Sequence, residues 1–127
     1  MILNGIAVHG LGKAAPFTEL DWVRSQLLDK LDIQPYPGTF NVRLTRPDQV
    51  KLWETLKQLP GIGIDEPEEN SCAAVCYPVL VNDTLRGAIL VPGVRGYPVD
   101  KIEIVARESI RRALGTKDGD PITLQVL

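Results

Sequence analysis

At 127 residues, the chain has the length of one domain and enough apolar material for a single core without staples. Hydrophobic residues at 44% and charged residues at 24% are ordinary globular values, which argues against disorder. A formal charge of −2 argues against a protein built to grip nucleic acid, and no apolar run is long enough to span a bilayer.

Met1-Ile2-Leu3-Asn4-Gly5 lacks the cationic segment and apolar run of a secretory signal, so a soluble, cytoplasmic location is expected, without a membrane partner. Residues 2–9 read as a first strand. Gly10-Leu11-Gly12-Lys13-Ala14-Ala15 follows as a loop whose backbone N–H groups and lysine could face an anion. It matches neither a Walker loop nor a complete Gly-x-Gly-x-x-Gly, and on local evidence a tight strand exit is the favoured reading. His9, just before it, has no evident orienting partner in sequence and reads as structural.

Thr18 is placed as an N-cap, with Glu19 and Asp21 in the first turn of a helix over about 19–32. Leu20, Val23, Leu27, Leu28 and Leu31 form its apolar stripe, with Trp22 at the core or rim. Next comes Pro35-Tyr36-Pro37-Gly38, a turn, running into the alternating strand Thr39-Phe40-Asn41-Val42-Arg43-Leu44. Phe40, Val42 and Leu44 share one face. Thr39 and Asn41 share the other, ~6.6 Å apart along the strand. A hydroxyl and an amide oxygen so placed could share a hard cation completed by water and phosphate, or could simply be polar residues of a half-buried edge strand.

Pro47 suits the first turn of a second helix over about 47–59, with Val50, Trp53, Leu56 and Leu59 inward. Residues 61–71, with Asp65, Glu66, Glu68 and Glu69, read as a solvated loop. From Ser71 to Val81 the chain is a strand; Cys72 and Cys76 within it lie ~13 Å apart, beyond disulfide reach, and are expected as buried free thiols. Asn82-Asp83 turns into a partner strand from Leu85 to Pro92, in which Gly87 marks a bulge or close backbone approach. After the loop around Gly93-Val94-Arg95-Gly96-Tyr97-Pro98, residues 102–106 form a strand with Glu103 opposite Ile102 and Ile104. A short helix over about 107–114 and a last strand over 121–127 complete the chain. The expected fold is mainly β (α+β), one six-stranded β-barrel domain over 1–127 with two or three helices.

With these segments in hand, the chain resembles the archaeal-type CTP-dependent riboflavin kinases, a family with a small cradle-loop barrel. The likeness is carried by Gly10-Leu11-Gly12, Pro35-Tyr36-Pro37-Gly38-Thr39-Phe40-Asn41, Ile102-Glu103-Ile104-Val105-Ala106 and Asp118-Gly119-Asp120. The resemblance implies transfer of the γ-phosphoryl of CTP to riboflavin, giving FMN and CDP, with riboflavin and CTP as small-molecule partners and one Mg2+ as cofactor. It implies Thr39 and Asn41 as magnesium ligands, and Gly10, Leu11, Gly12, Lys13, Ala14 and Ala15 as a first nucleotide segment. Glu108, Ser109, Ile110 and Arg111 would be the second, and Glu103 a flavin contact that could also orient the attacking hydroxyl or take its proton. Read alone, Glu103 and Arg111 are a strand carboxylate and a charge on a solvated helix face.

Three departures from the family stand in the sequence. Ala14 and Ala15 follow Lys13 where a further glycine is usual; Arg107 follows the Glu-Ile-x-Ala segment in place of proline; and Arg95-Gly96-Tyr97-Pro98 stands where a flavin-contacting hydroxyl is usual. The rival expectations are a divergent relative that binds a nucleotide or flavin-like ligand without turnover, and a swapped-hairpin barrel used as a DNA-binding or assembly module. A monomer acting on small molecules, without nucleic acid, is the favoured reading.

Overall fold

The computed structural model describes residues 1–10, 15–69 and 71–127. In chain order the elements are β1 (Ile2–Val8), α1 (Ala15–Thr18), α2 (Asp21–Leu31), β2 (Phe40–Arg43), α3 (Pro47–Leu56), β3 (Ile62–Glu66), β4 (Ser71–Val81), β5 (Leu85–Pro92), β6 (Lys101–Val105), α4 (Ile110–Leu114) and β7 (Pro121–Val126). All strand pairs are antiparallel. The sheet runs β3-β4-β5-β6-β2-β1-β7, and β7 returns to β4.

That return closes a ring through β4, β5, β6, β2, β1 and β7, which is the expected barrel. One edge of β4 pairs with β5 along most of its length. The other edge is shared: Ser71–Cys76 pairs with β3, and Val79–Val81 pairs with β7. β3 is therefore a seventh strand laid against the ring, in a stretch expected to be loop. Its acids resemble those of a solvated loop because Asp65 points to solvent, while Ile64 is fully buried. Four helices are present among the described residues, the additional one being the single turn α1.

Two apolar clusters fill the molecule. The first lies within the ring: Leu3, Val42, Leu44, Val79, Ile89, Ile102, Ile104 and Leu124, closed over by Trp53 and Leu56 of α3. The second lies outside it, where Val23 and Leu27 of α2 pack with Ile64, Ala74, Cys76 and Leu90. Trp22 sits at the border of this outer cluster, edge-on to Phe17 at 5.9 Å. The α2 stripe is narrower than the periodicity suggests, since Leu20 and Leu28 are exposed.

Local details differ from expectation for identifiable reasons. Thr18 is not the cap of α2; that helix starts after Leu20, without a side-chain cap. α3 stops at Leu56, leaving Leu59 exposed, and α4 starts at Ile110 with Ser109 as its cap. Cys76 is buried as expected, and burial pushes its thiol up to about 12. Cys72 is exposed. Ile64 pairs with Ala74 and Asp65 with Cys72, so the ladder skips Ala73. This bulge breaks the strand's two-residue period between the cysteines. No helix among the described residues is long and apolar enough to cross a membrane.

Candidate functional site

The site begins at the ladder between β2 and β6, where Asn41 lies directly opposite Glu103. Alternation turns Phe40 and Val42 into the ring and leaves Asn41 and Glu103 on the outer face, side by side. Thr39, the residue before β2, donates its hydroxyl proton to Glu103 Oε1 at 2.9 Å. Tyr97 donates from its hydroxyl to Glu103 Oε2. Burial, and then the Glu103 carboxylate, push the Tyr97 phenol well above its ordinary value.

Asn41 is almost entirely buried, at 6% exposure. Its Nδ2 donates to the Thr39 carbonyl at 3.2 Å, while Oδ1 has no hydrogen-bond partner among the described residues. A buried acceptor left open is costly unless a ligand meets it. Gly10 gives this side chain its room, because a Cβ there would stand 2.3 Å from Asn41 Nδ2.

The turn before β2 is pinned from two sides. Tyr36 N donates to the Ala106 carbonyl at 2.8 Å, and Gly38 N donates to Thr18 Oγ1 at 2.9 Å. Gly38 takes φ 90°, a conformation that glycine adopts without strain. The Thr18 hydroxyl expected at a helix cap is thus spent on fixing the site's turn.

The other end is built from the exit of β1 and from α4. Arg111 reaches across to Asp118 Oδ1 at 2.9 Å and to the Val8 carbonyl at 3.3 Å, with its guanidinium 6.0 Å from the Phe40 ring centre. His9 Nδ1 hydrogen-bonds the other oxygen of Asp118. The hydrogen bond from His9 foremost, and with it Arg111, holds the Asp118 carboxyl below its ordinary value against an opposing desolvation. Arg112 bonds the Tyr36 hydroxyl at 2.7 Å and stacks over that ring at 5.5 Å.

A cavity of about 360 Å³ joins the two ends. Gly10, Thr39, Asn41, Glu103, Glu108, Ser109, Ile110 and Arg111 all line it, so residues spread over a hundred positions of sequence meet in one place. Of the remaining candidates, Leu11, Gly12, Lys13 and Ala14 lie outside the described residues, and Ala15 opens α1. Sequence reasoning passed over Tyr36 and Lys101, which also line the cavity, and Tyr97 and Asp118, which hold its charged groups. The Asp118 signal was present in Asp-Gly-Asp but had no partner to attach to; His9 now has one.

Chemically, the cavity offers a hydroxyl and an open amide oxygen for a hard cation, guanidinium and ammonium groups for phosphates, and a carboxylate for a hydroxyl. No cluster of three or more His, Cys, Asp or Glu able to hold a metal occurs among the described residues. A cation here could rest on the Thr39 and Asn41 oxygens and on whatever phosphate it accompanies, and the open Asn41 Oδ1 fits that arrangement.

Residues 7–126 match the family model described as "CTP-dep_RFKase: Domain of unknown function DUF120". The chain is 36% identical over 127 residues to a protein named riboflavin kinase from Methanosarcina acetivorans, covering 98% of this chain and 53% of that protein. It is 38% identical over 121 residues to one of the same name from Methanocella arvoryzae, covering 95% of this chain and 55% of the relative. A third, from Pyrobaculum islandicum, is 34% identical over 127 residues, covering 98% and 59%. The chain spans a little over half the length of the curated relatives it matches.

Proposed function

The chain belongs to the CTP-dep_RFKase family, and from that premise we propose that it transfers the γ-phosphoryl group of CTP to the ribityl hydroxyl of riboflavin, giving FMN and CDP. The observation that carries the proposal is the single cavity in which Thr39, the open Asn41 oxygen, Glu103 and Arg111 converge. Phosphoryl transfer asks a protein mainly for position and charge neutralisation, and the groups collected here are of that kind.

In this reading the nucleotide lies along Gly10 to Ala15 and along Glu108, Ser109, Ile110 and Arg111. Arg111, held by Asp118 and the Val8 carbonyl, meets phosphate oxygens with its remaining N–H groups. Thr39 and Asn41 hold one Mg2+, which supplies positive charge to the phosphate oxygens when bound. Glu103 faces the acceptor hydroxyl, to orient it or to take its proton. The Tyr97 hydroxyl stands within bonding reach of the same carboxylate, where the family usually offers a hydroxyl to the flavin. Residues 1–127 act as one barrel unit on small molecules, as a monomer in the cytoplasm.

The test is incubation with riboflavin and Mg2+, with CTP and ATP in parallel, followed by separation of the fluorescent products. FMN formed with CTP and little with ATP is the expected result. A folded protein that makes no FMN with either nucleotide overturns the proposal.

A further inference from the structure

We propose that Tyr97 is a positioning residue for the cation: it fixes Glu103, and Glu103 in turn aims the lone pairs of Thr39 at the ion. The inference rests on the reading of Thr39 and Asn41 as cation ligands and adds to it a second layer that ties the site to the loop between β5 and β6.

Thr39 has a single hydroxyl hydrogen, and Glu103 Oε1 accepts it at 2.9 Å. A hydroxyl so committed keeps both lone pairs for other partners. Asn41 Oδ1, buried and without a partner among the described residues, is likewise acceptor only. The pair therefore offers oxygens and no proton, which is what a hard cation requires. If Glu103 turned away, the Thr39 proton would be free to swing toward the cavity and oppose the ion.

Glu103 is kept from turning by its other oxygen, which accepts from the Tyr97 hydroxyl. Tyr97 is itself held in place, half-buried with the Lys101 ammonium 5.6 Å from its ring centre. The chain of contacts is Tyr97 to Glu103 to Thr39, three side chains with each hydrogen bond running toward the carboxylate. Partners of this kind behind a ligand commonly change metal affinity about 10–100-fold when removed. The Tyr97 hydroxyl bonds Glu103 and, among the described residues, neither ligand, so the effect of that hydroxyl passes through Glu103.

The experiment titrates the full chain with Mn2+ alone and reads the free ion by electron paramagnetic resonance, for the wild type, Thr39→Val, Asn41→Ala, Tyr97→Phe, Glu103→Ala and the double variant Tyr97→Phe/Glu103→Ala. Wild type is expected to show one saturable site, lost in Thr39→Val and Asn41→Ala. Tyr97→Phe keeps the ring and is expected to bind about tenfold more weakly at an unchanged melting temperature. In the Glu103→Ala background the same change is expected to add nothing, because the route is already cut. Wild-type affinity in Tyr97→Phe, with the site still lost in Thr39→Val, overturns the positioning role and leaves the ligand assignment standing. A full additional loss in the double variant also overturns it. Absence of any saturable site in the wild type overturns the ligand assignment, and this inference with it.

Discussion

The two ends of the cavity use similar side chains in opposite ways. At one end, Asn41 and Glu103 stand on paired strands, and Asn41 is only 6% exposed. At the other, His9 and Asp118 meet with side chains 75% and 49% exposed, on the exit of one strand and the turn into another. Paired strands fix a ligand's position to a fraction of an ångström, and burial makes an unmet acceptor costly. Exposed ion pairs contribute little to stability, so the His9–Asp118–Arg111 group is better understood as a mount that sets where a guanidinium points. One end leaves a buried acceptor open; the other aims a charge.

The largest expected effect comes from cutting the buried end. Asn41→Ala or Thr39→Val should lower FMN formation at least about 100-fold, while melting shifts by no more than about 1 kcal/mol of stability. Product assays beside a thermal melt check this, and full activity in both variants breaks the distinction between the ends. Arg111→Ala comes next. Loss of charge-assisted contacts should raise the KM for the nucleotide about tenfold or more, and it should flatten the dependence of KM on salt. A fall in kcat alone would move Arg111 from binding to chemistry.

Gly10→Ala probes the point where the ends touch. The new Cβ would fall 2.3 Å from Asn41 Nδ2, so the amide must move. Activity should fall several-fold at a stability cost of about 1 kcal/mol, as for other overpacked sites. Wild-type turnover would show that the Asn41 position is not critical. The smallest effect belongs to Asp118. Its carboxyl is held below the ordinary 3.8, so its partners favour the charged form. That contribution is complete above the ordinary value and is lost as pH falls through the lowered one. Melting temperatures of wild type and Asp118→Asn should therefore differ slightly near pH 6 and converge toward pH 3. A gap that widens on acidification would reverse the assignment.

How far this was legible in the sequence depended on whether the signal was local. The period of Phe40, Val42 and Leu44 gave the strand and put Thr39 and Asn41 on its other side, and alternation placed Glu103 correctly. Both are properties of a few consecutive residues. Ile62–Glu66 was hidden because Asp65 faces water while Ile64, with Ile62 packed beside it, enters the outer cluster. Thr18 looked like a cap because caps are read locally, whereas its hydroxyl serves Gly38, twenty residues away. Cys72 and Cys76 share a parity on paper, and only the bulge opposite Ile64 and Asp65 separates their fates. The joining of His9 to Asp118 depends on two distant stretches meeting beside one barrel end, and no spacing rule anticipates it.

The way the ring closes also bears on time. β1 pairs on one side with β2 and on the other with β7, the last strand in the chain. Hairpins such as β4–β5, joined by a tight turn with positive φ at Asn82 and Asp83, can form early and independently. The seam of β7 with β1 must wait until residues 2–126 are all present, since pairings such as Ile2 with Gln125 close a loop of nearly that whole stretch. Refolding should accordingly fall in the slow, millisecond-to-second range of non-local β topologies, with the cavity wall contributed by His9 and Asp118 assembling last.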